Sequence, residues 1–114
     1  MKRLFFAVCS VFALVALFSA PAVRAAEKKT VEITISDHRF QPDVIKIPAD
    51  TQVMLKVKNA DATPEEFESN ELKIEKIIPG KSKGIVIIPP LKPGTYGFVG
   101  EFHEETAKGK IIVE

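Results

Sequence analysis

The stretch Pro93-Gly94-Thr95-Tyr96-Gly97-Phe98-Val99-Gly100-Glu101-Phe102-His103, followed four residues later by Lys108-Gly109-Lys110-Ile111-Ile112-Val113, decides the fold. Pro93-Gly94 opens a turn. Beyond it Tyr96 and Phe98 fall on one side of a period-two pattern and read as core. Lys108–Val113 reads as a closing strand. The same pattern extends toward the N-terminus: Val31, Ile33 and Ile35 alternate with Glu32, Thr34 and Ser36, Ile45 and Ile47 flank Lys46, and Val53, Leu55 and Val57 alternate with Met54, Lys56 and Lys58. Further strands are expected at Glu65–Ser69, Lys73–Ile77 and Ile85–Ile88. Turn signals divide them: Pro48-Ala49-Asp50, Asn59-Ala60-Asp61, Pro79-Gly80-Lys81 and Pro89-Pro90. Residues 65–76 contain good helix formers, but a short strand suits the flanking pattern better. Asp37-His38-Arg39-Phe40 is read as a loop after the first strand. Short, evenly spaced strands of this kind predict an all-β sandwich or barrel.

The first 25 residues read differently. Lys2 and Arg3 precede a nearly continuous apolar run, Leu4 to Phe18, and then Ser19 to Ala25 with small residues at Val23 and Ala25. That order is a secretory signal peptide, with cleavage expected after Ala25 and one domain over residues 26–114. An uncleaved anchor is the rival reading, against which stand the short apolar run and Pro21. Cys9 leaves with the leader, so the mature domain has no thiol and no disulfide. Of 16 basic residues, Lys2, Arg3 and Arg24 also leave, so 13 face 15 acidic ones. Nothing here is the basic stripe that nucleic acid requires. No nucleophile is paired with a base, and no glycine-rich phosphate loop appears.

The order of the C-terminal motifs resembles the end of cupredoxins, and Asn59-Ala60-Asp61-Ala62-Thr63-Pro64 resembles the loop before their first histidine. The resemblance covers essentially the whole mature chain and implies an all-β, Greek-key β-sandwich of the cupredoxin-like kind. The ligand positions depart from it. Glu65 stands where the first histidine should be, Gly100 where the cysteine should be, and no methionine falls near Ala107. Only His103 remains, whereas a blue-copper centre needs two histidines and a thiolate. A narrower similarity, carried by Thr63 to Ser69, Glu75-Lys76 and Gly100 to His103, is to the cupredoxin-like proteins of bacterial iron-uptake operons and of EfeO-type iron-transport proteins. It implies a periplasmic role beside an inner-membrane iron permease and other periplasmic iron-uptake proteins, with acidic residues replacing copper ligands and iron, copper or both as the bound ion.

The residues themselves offer two candidate sites. Glu65 and Phe67 should share the inner face of their strand, so Glu65 is expected to meet His103 at the end of the sandwich where cupredoxins hold copper. Glu101 would add an oxygen there if its strand continues. Gly100 leaves room for water or for the Glu65 carboxylate. Glu66 and Glu68 form the second candidate, with Glu75 across from them; like charges facing each other on a sheet repel unless a cation offsets them. Oxygen and nitrogen donors without a thiolate suit iron, manganese or copper(II). Plainer readings stand beside these. Glu66 and Glu68 could be a solvated face neutralised by Lys73 or Lys76, Glu65 a loop-end carboxylate, His103 a hydrogen-bonding loop residue, and His38 a surface histidine with Asp37 beside it. Three functions follow: a metal-binding accessory protein for iron uptake, a metal-free docking module, or a copper-dependent iron-oxidising redox protein.

Overall fold

The computed structural model describes residues 29–114, together with Val15 and Ala16; the rest of the expected leader, its cleavage junction and Cys9 lie outside the described residues. No helix among the described residues is long and apolar enough to cross a membrane. The described chain forms strands β1 (Lys29–Ser36), β2 (Arg39–Gln41), β3 (Val44–Ile47), β4 (Val53–Asn59), β5 (Glu65–Ser69), β6 (Ile74–Ile78), β7 (Ser82–Ile88), β8 (Gly94–Gly100) and β9 (Lys108–Val113), with a 3-10 turn at Glu101–His103. They build two sheets, ordered β2-β1-β4-β7 and β3-β9-β8-β5-β6. The β1–β4 and β3–β9 pairs are parallel and the others antiparallel. The chain crosses between the sheets from β2 to β3, β3 to β4, β4 to β5, β6 to β7 and β7 to β8, which makes the expected Greek-key sandwich.

Period-two alternation sets which side of each sheet is dry. On β4, Val53, Leu55 and Val57 are buried while Lys56 and Lys58 are exposed and Met54 is half-buried. Ile33, Ile35, Val86 and Ile88 join them from the first sheet, and Ile45, Ile47, Ile111 and Val113 face them from the second. At the centre Phe98 lies 4.9 Å from both Phe40 and Phe67, edge-on to the first and stacked on the second. Each buried phenylalanine contributes about 1.5–3 kcal/mol by leaving water, and the paired geometries add to that.

One strand was not expected. Arg39–Gln41 pairs with β1, so residues 37 and 38 form a two-residue hairpin loop rather than an open loop. Both have positive φ, 52° at Asp37 and 57° at His38. A hairpin turn whose two central residues are left-handed matches the strand twist. The usual Asn-Gly or Asp-Gly signal is absent, which is why the sequence hides it. Asp and His are among the non-glycine residues that tolerate this region. The turn carries His38 to the same end of the sandwich as the Glu101–His103 turn, where the two rings stack.

Truncating the centre of the core tests this packing. Phe98→Ala should lower the unfolding free energy by about 3–5 kcal/mol, measured by urea denaturation, with an unchanged dependence on urea concentration.

Candidate metal centre

The structure brings together the four positions singled out by the cupredoxin resemblance: Glu65, Gly100, His103 and Ala107. Glu65 begins β5 with its side chain pointing inward, and it is 1% exposed. Its Oε1 accepts the backbone N–H of Phe102 at 2.9 Å and of Glu66 at 3.1 Å. Its Oε2 lies 2.5 Å from His103 Nδ1. The reason for Gly100 is equally local. A Cβ there would lie 2.6 Å from Glu65 Cδ and 2.7 Å from the Cβ of buried Ala107. The carboxylate thus occupies the space that the missing side chain leaves, one of the two outcomes that Gly100 allows. Gly100 N–H donates to Ala107 at 2.9 Å and Ala107 N–H to His103 at 2.8 Å, which closes the turn around the pair.

His38 belongs to this group, against its reading as a surface histidine. Its ring stacks on His103 with centroids 3.5 Å apart and planes 13° from parallel. Two residues that the sequence did not single out place it. Asp61 accepts the N–H groups of Asp37 at 2.9 Å and His38 at 3.0 Å. Thr106 Oγ1 donates to the His38 carbonyl at 2.6 Å. Asp61 is itself set by Asn59, whose Oδ1 accepts the Asp61 N–H at 3.0 Å. The His38 N–H holds the Asp61 carboxyl below its usual range; burial opposes the shift, while the Asp37 N–H and the charges of His38 and Lys81 add to it. Paired left-handed residues whose N–H groups converge on an anion form such a nest. Asp37 supplies only its backbone to this arrangement.

The acidic face forms as expected, with one change of membership. Glu66 and Glu68 are half-buried on the outer side of β5, and Glu75 is the cross-strand partner of Glu68. Glu101 joins them. β8 ends at Gly100 and a 3-10 turn follows; Glu101 keeps the outward phase of Val99, whose partner is Glu68, while the turn breaks the alternation before His103, which meets Glu65 instead. One oxygen from each of Glu66, Glu75 and Glu101 lies within 4.8 Å of the others. Two oxygens bound to one ion at about 2.0–2.6 Å are separated by at most about 4–5 Å. The lysines do not neutralise this face. Lys76 pairs in register with Phe67, on the opposite side of the sheet from Glu66 and Glu68. Among the described residues, no lysine forms an ion pair with any of the four glutamates. Glu66 and Glu68 are pushed above the ordinary carboxyl range, first by lost hydration, then by hydrogen bonding to Glu101 and the charges of Glu101 and Glu75.

The match to known proteins follows this geometry. The model of the cupredoxin-like domain matches residues 7–113. The chain belongs to the cupredoxin-like domain family. An uncharacterised protein of Rickettsia prowazekii (strain Madrid E) is 39% identical over 98% of this chain and 93% of its own length. Among solved structures, the metal-binding domain of the Cu(I)-exporting P-type ATPase of Streptococcus pneumoniae D39 superposes with a TM-score of 0.67 at 15% identity, over 79% of this chain and 98% of that one. Auracyanin A, a blue copper protein of Chloroflexus aurantiacus, superposes with a TM-score of 0.65 at 16% identity, over 77% of this chain and 100% of its own. Those likenesses concern the fold. The blue-copper ligand set does not fit this member of the family. The thiolate position is Gly100, and the space beside it is filled by Glu65, whose oxygens already serve two amides and His103.

Two tests follow. Gly100→Ala should cost about 1–3 kcal/mol, the usual penalty of overpacking. In a double-mutant cycle with Glu65→Ala, measured by urea unfolding, the pair should cost less than the sum because the clash is shared. The pH dependence should split by sign in chelated buffer. A carboxyl with a raised folded pKa loses stability as pH rises from its ordinary value, 4.5 for Glu68, through the folded one. Glu68→Gln should therefore raise the melting temperature at neutral pH, and the gain should vanish below pH 4.5. Asp61 behaves oppositely. Its contribution is present above its ordinary 3.8 and is lost as pH falls through its lowered folded value, so the deficit of Asp61→Asn should shrink in acid.

Proposed function

We propose that this cupredoxin-like protein is a periplasmic metal-binding accessory of ferrous-iron uptake, serving an inner-membrane iron permease. In this reading iron is cargo, held by carboxylates. The observation that carries it is the meeting of Glu66, Glu75 and Glu101, from three separate elements, with oxygens inside the span of one coordination sphere. Glu68 flanks them from β5. No lysine neutralises them, and lost hydration and mutual repulsion raise the pKa of Glu66 and Glu68. A hard cation would relieve that cost, and carboxylates favour iron over soft copper(I). The similarity of residues 63–69, 75–76 and 100–103 to EfeO-type proteins, and the leader-like N-terminus, support the assignment to iron uptake and to the periplasm.

Copper has a separate place in this reading. His103 gives its Nδ1 edge to a buried carboxylate, the arrangement that orients metal-bound histidines and leaves their other nitrogen outward. Its side chain is 25% exposed, and His38 lies against it. Glu65 then serves His103 as a positioning residue rather than as an open ligand.

A second reading has its own support. By the cupredoxin resemblance the Glu65–His103 hydrogen bond stands near the copper position of blue-copper proteins, so a fold that uses an internal hydrogen bond there would work as a metal-free docking module.

Calorimetric titration of the purified protein separates the two, with iron(II) under anaerobic conditions and copper(II) in parallel. On the first reading iron(II) binds with one-to-one stoichiometry, and Glu66→Gln or Glu75→Gln weakens it at least about tenfold, or 1.4 kcal/mol. His103→Ala should affect copper(II) and spare iron(II). Absence of binding by either ion would sink that reading and leave the docking module.

A further inference from the structure

Among the described residues of the sandwich, five large apolar side chains are exposed, and three of them cluster: Ile77 at 56%, Ile85 at 48% and Ile87 at 46%. Ile77 lies on β6 and the other two on β7. These strands are edges of different sheets, brought side by side. Gly84 makes the approach possible, because a Cβ there would stand 2.8 Å from Ile78 Cγ1. Between the edges runs a groove of about 700 Å³ whose walls include Lys56, Lys76, Ile77, Pro79, Lys83 and Ile85. Register extends the patch across the first sheet: Met54 pairs with Ile87, Lys56 with Ile85 and Lys58 with Lys83. Glu32 beside Lys56 is the one acid in these rows, and among the described residues none of the lysines is ion-paired. The groove thus has an apolar centre and a cationic rim at the edge of the sandwich, and Ile77 on its β6 wall is the register partner of Glu66.

We propose that this groove receives an extended, alternately apolar and acidic segment of a partner protein, added as a strand to the free edge of β7. Charge and shape choose the occupant. A second copy meeting edge to edge across a two-fold axis would set lysines against lysines. The first 28 residues of this chain carry four basic residues and only Glu27 as an acid, so they do not complement the rim. A lipid surface could answer the charge, but it neither fills a concave groove nor supplies backbone partners to a strand edge. An added strand does both: its backbone hydrogen-bonds to the edge while alternate side chains enter the groove. Carboxylates would meet Lys56, Lys76 and Lys83, and apolar side chains would cover Ile77, Ile85 and Ile87.

The test is an amide NMR titration of the purified protein with a synthetic peptide of alternating valine and glutamate. The same peptide with lysine for glutamate, and phosphatidylglycerol vesicles, are run beside it. The inference predicts shifts confined to residues 74–88 and the neighbouring part of β4, weakened by salt, and reduced about tenfold by Ile85→Glu or Lys83→Glu, as for the loss of one anchor. Both substitutions are at exposed positions, and an unchanged amide spectrum away from β7 verifies that each variant is folded. Equal binding of the lysine peptide, shifts centred elsewhere, a response to vesicles alone, or no response to any probe would overturn it.

Discussion

The buried carboxylate of Glu65 is the constraint around which the functional end of this molecule is arranged. A carboxyl group with 1% exposure is accommodated only when its oxygens are hydrogen-bonded. Here two backbone amides and one imidazole use them. Each donor fixes a different part of the chain. The Phe102 amide holds the 3-10 turn down over the end of β5, and His103 is pinned by its own side chain. Gly100 must be glycine because the carboxylate stands where its Cβ would go. His38 is drawn in by stacking on a ring whose orientation that carboxylate sets. Removing the glutamate would therefore release several elements at once, because one acceptor serves them all.

In a blue-copper site the ion ties together histidines and a thiolate from separate loops. In this chain the Glu65 carboxyl group ties separate parts of the chain together: it accepts two backbone N–H groups and shares a hydrogen bond with the His103 ring. Outside it, Glu66, Glu75 and Glu101 gather their carboxyl groups on the outer side of the second sheet, with Glu68 beside them.

Parts of the two outer faces also differ in charge. Carboxylates collect on the outer side of β5 and β6, and lysines with exposed isoleucines collect on β4 and β7. A small domain with separated charge can hold a cation on one face and a partner on another without mutual interference, since screening in physiological salt confines each field to about 8 Å. The fold supplies the separation; the surface residues supply the sign.

The sequence by itself determined the strands that alternate, because Val53-Met54-Leu55-Lys56-Val57 and Tyr96-Gly97-Phe98 leave no other face for their apolar side chains. It also determined that residues 29–114 hold no cysteine, so no thiolate from them can join the site. The inward direction of Glu65 and the acidic face of Glu66, Glu68 and Glu75 were legible for the same reason, through their phase relative to Phe67. Tertiary structure decided the rest. The hairpin at Asp37-His38 carries no glycine signal and is held by Asp61, 24 residues away in sequence from Asp37. Glu101 and His103 part company because the strand stops at Gly100: Glu101 keeps the outward phase of Val99, while the 3-10 turn brings His103 to Glu65, which period-two reasoning cannot foresee. The groove between β6 and β7 exists only where two sheet edges meet. Local pattern tells a side chain which way to face; which other side chains it meets there is set by contacts between residues far apart in the chain.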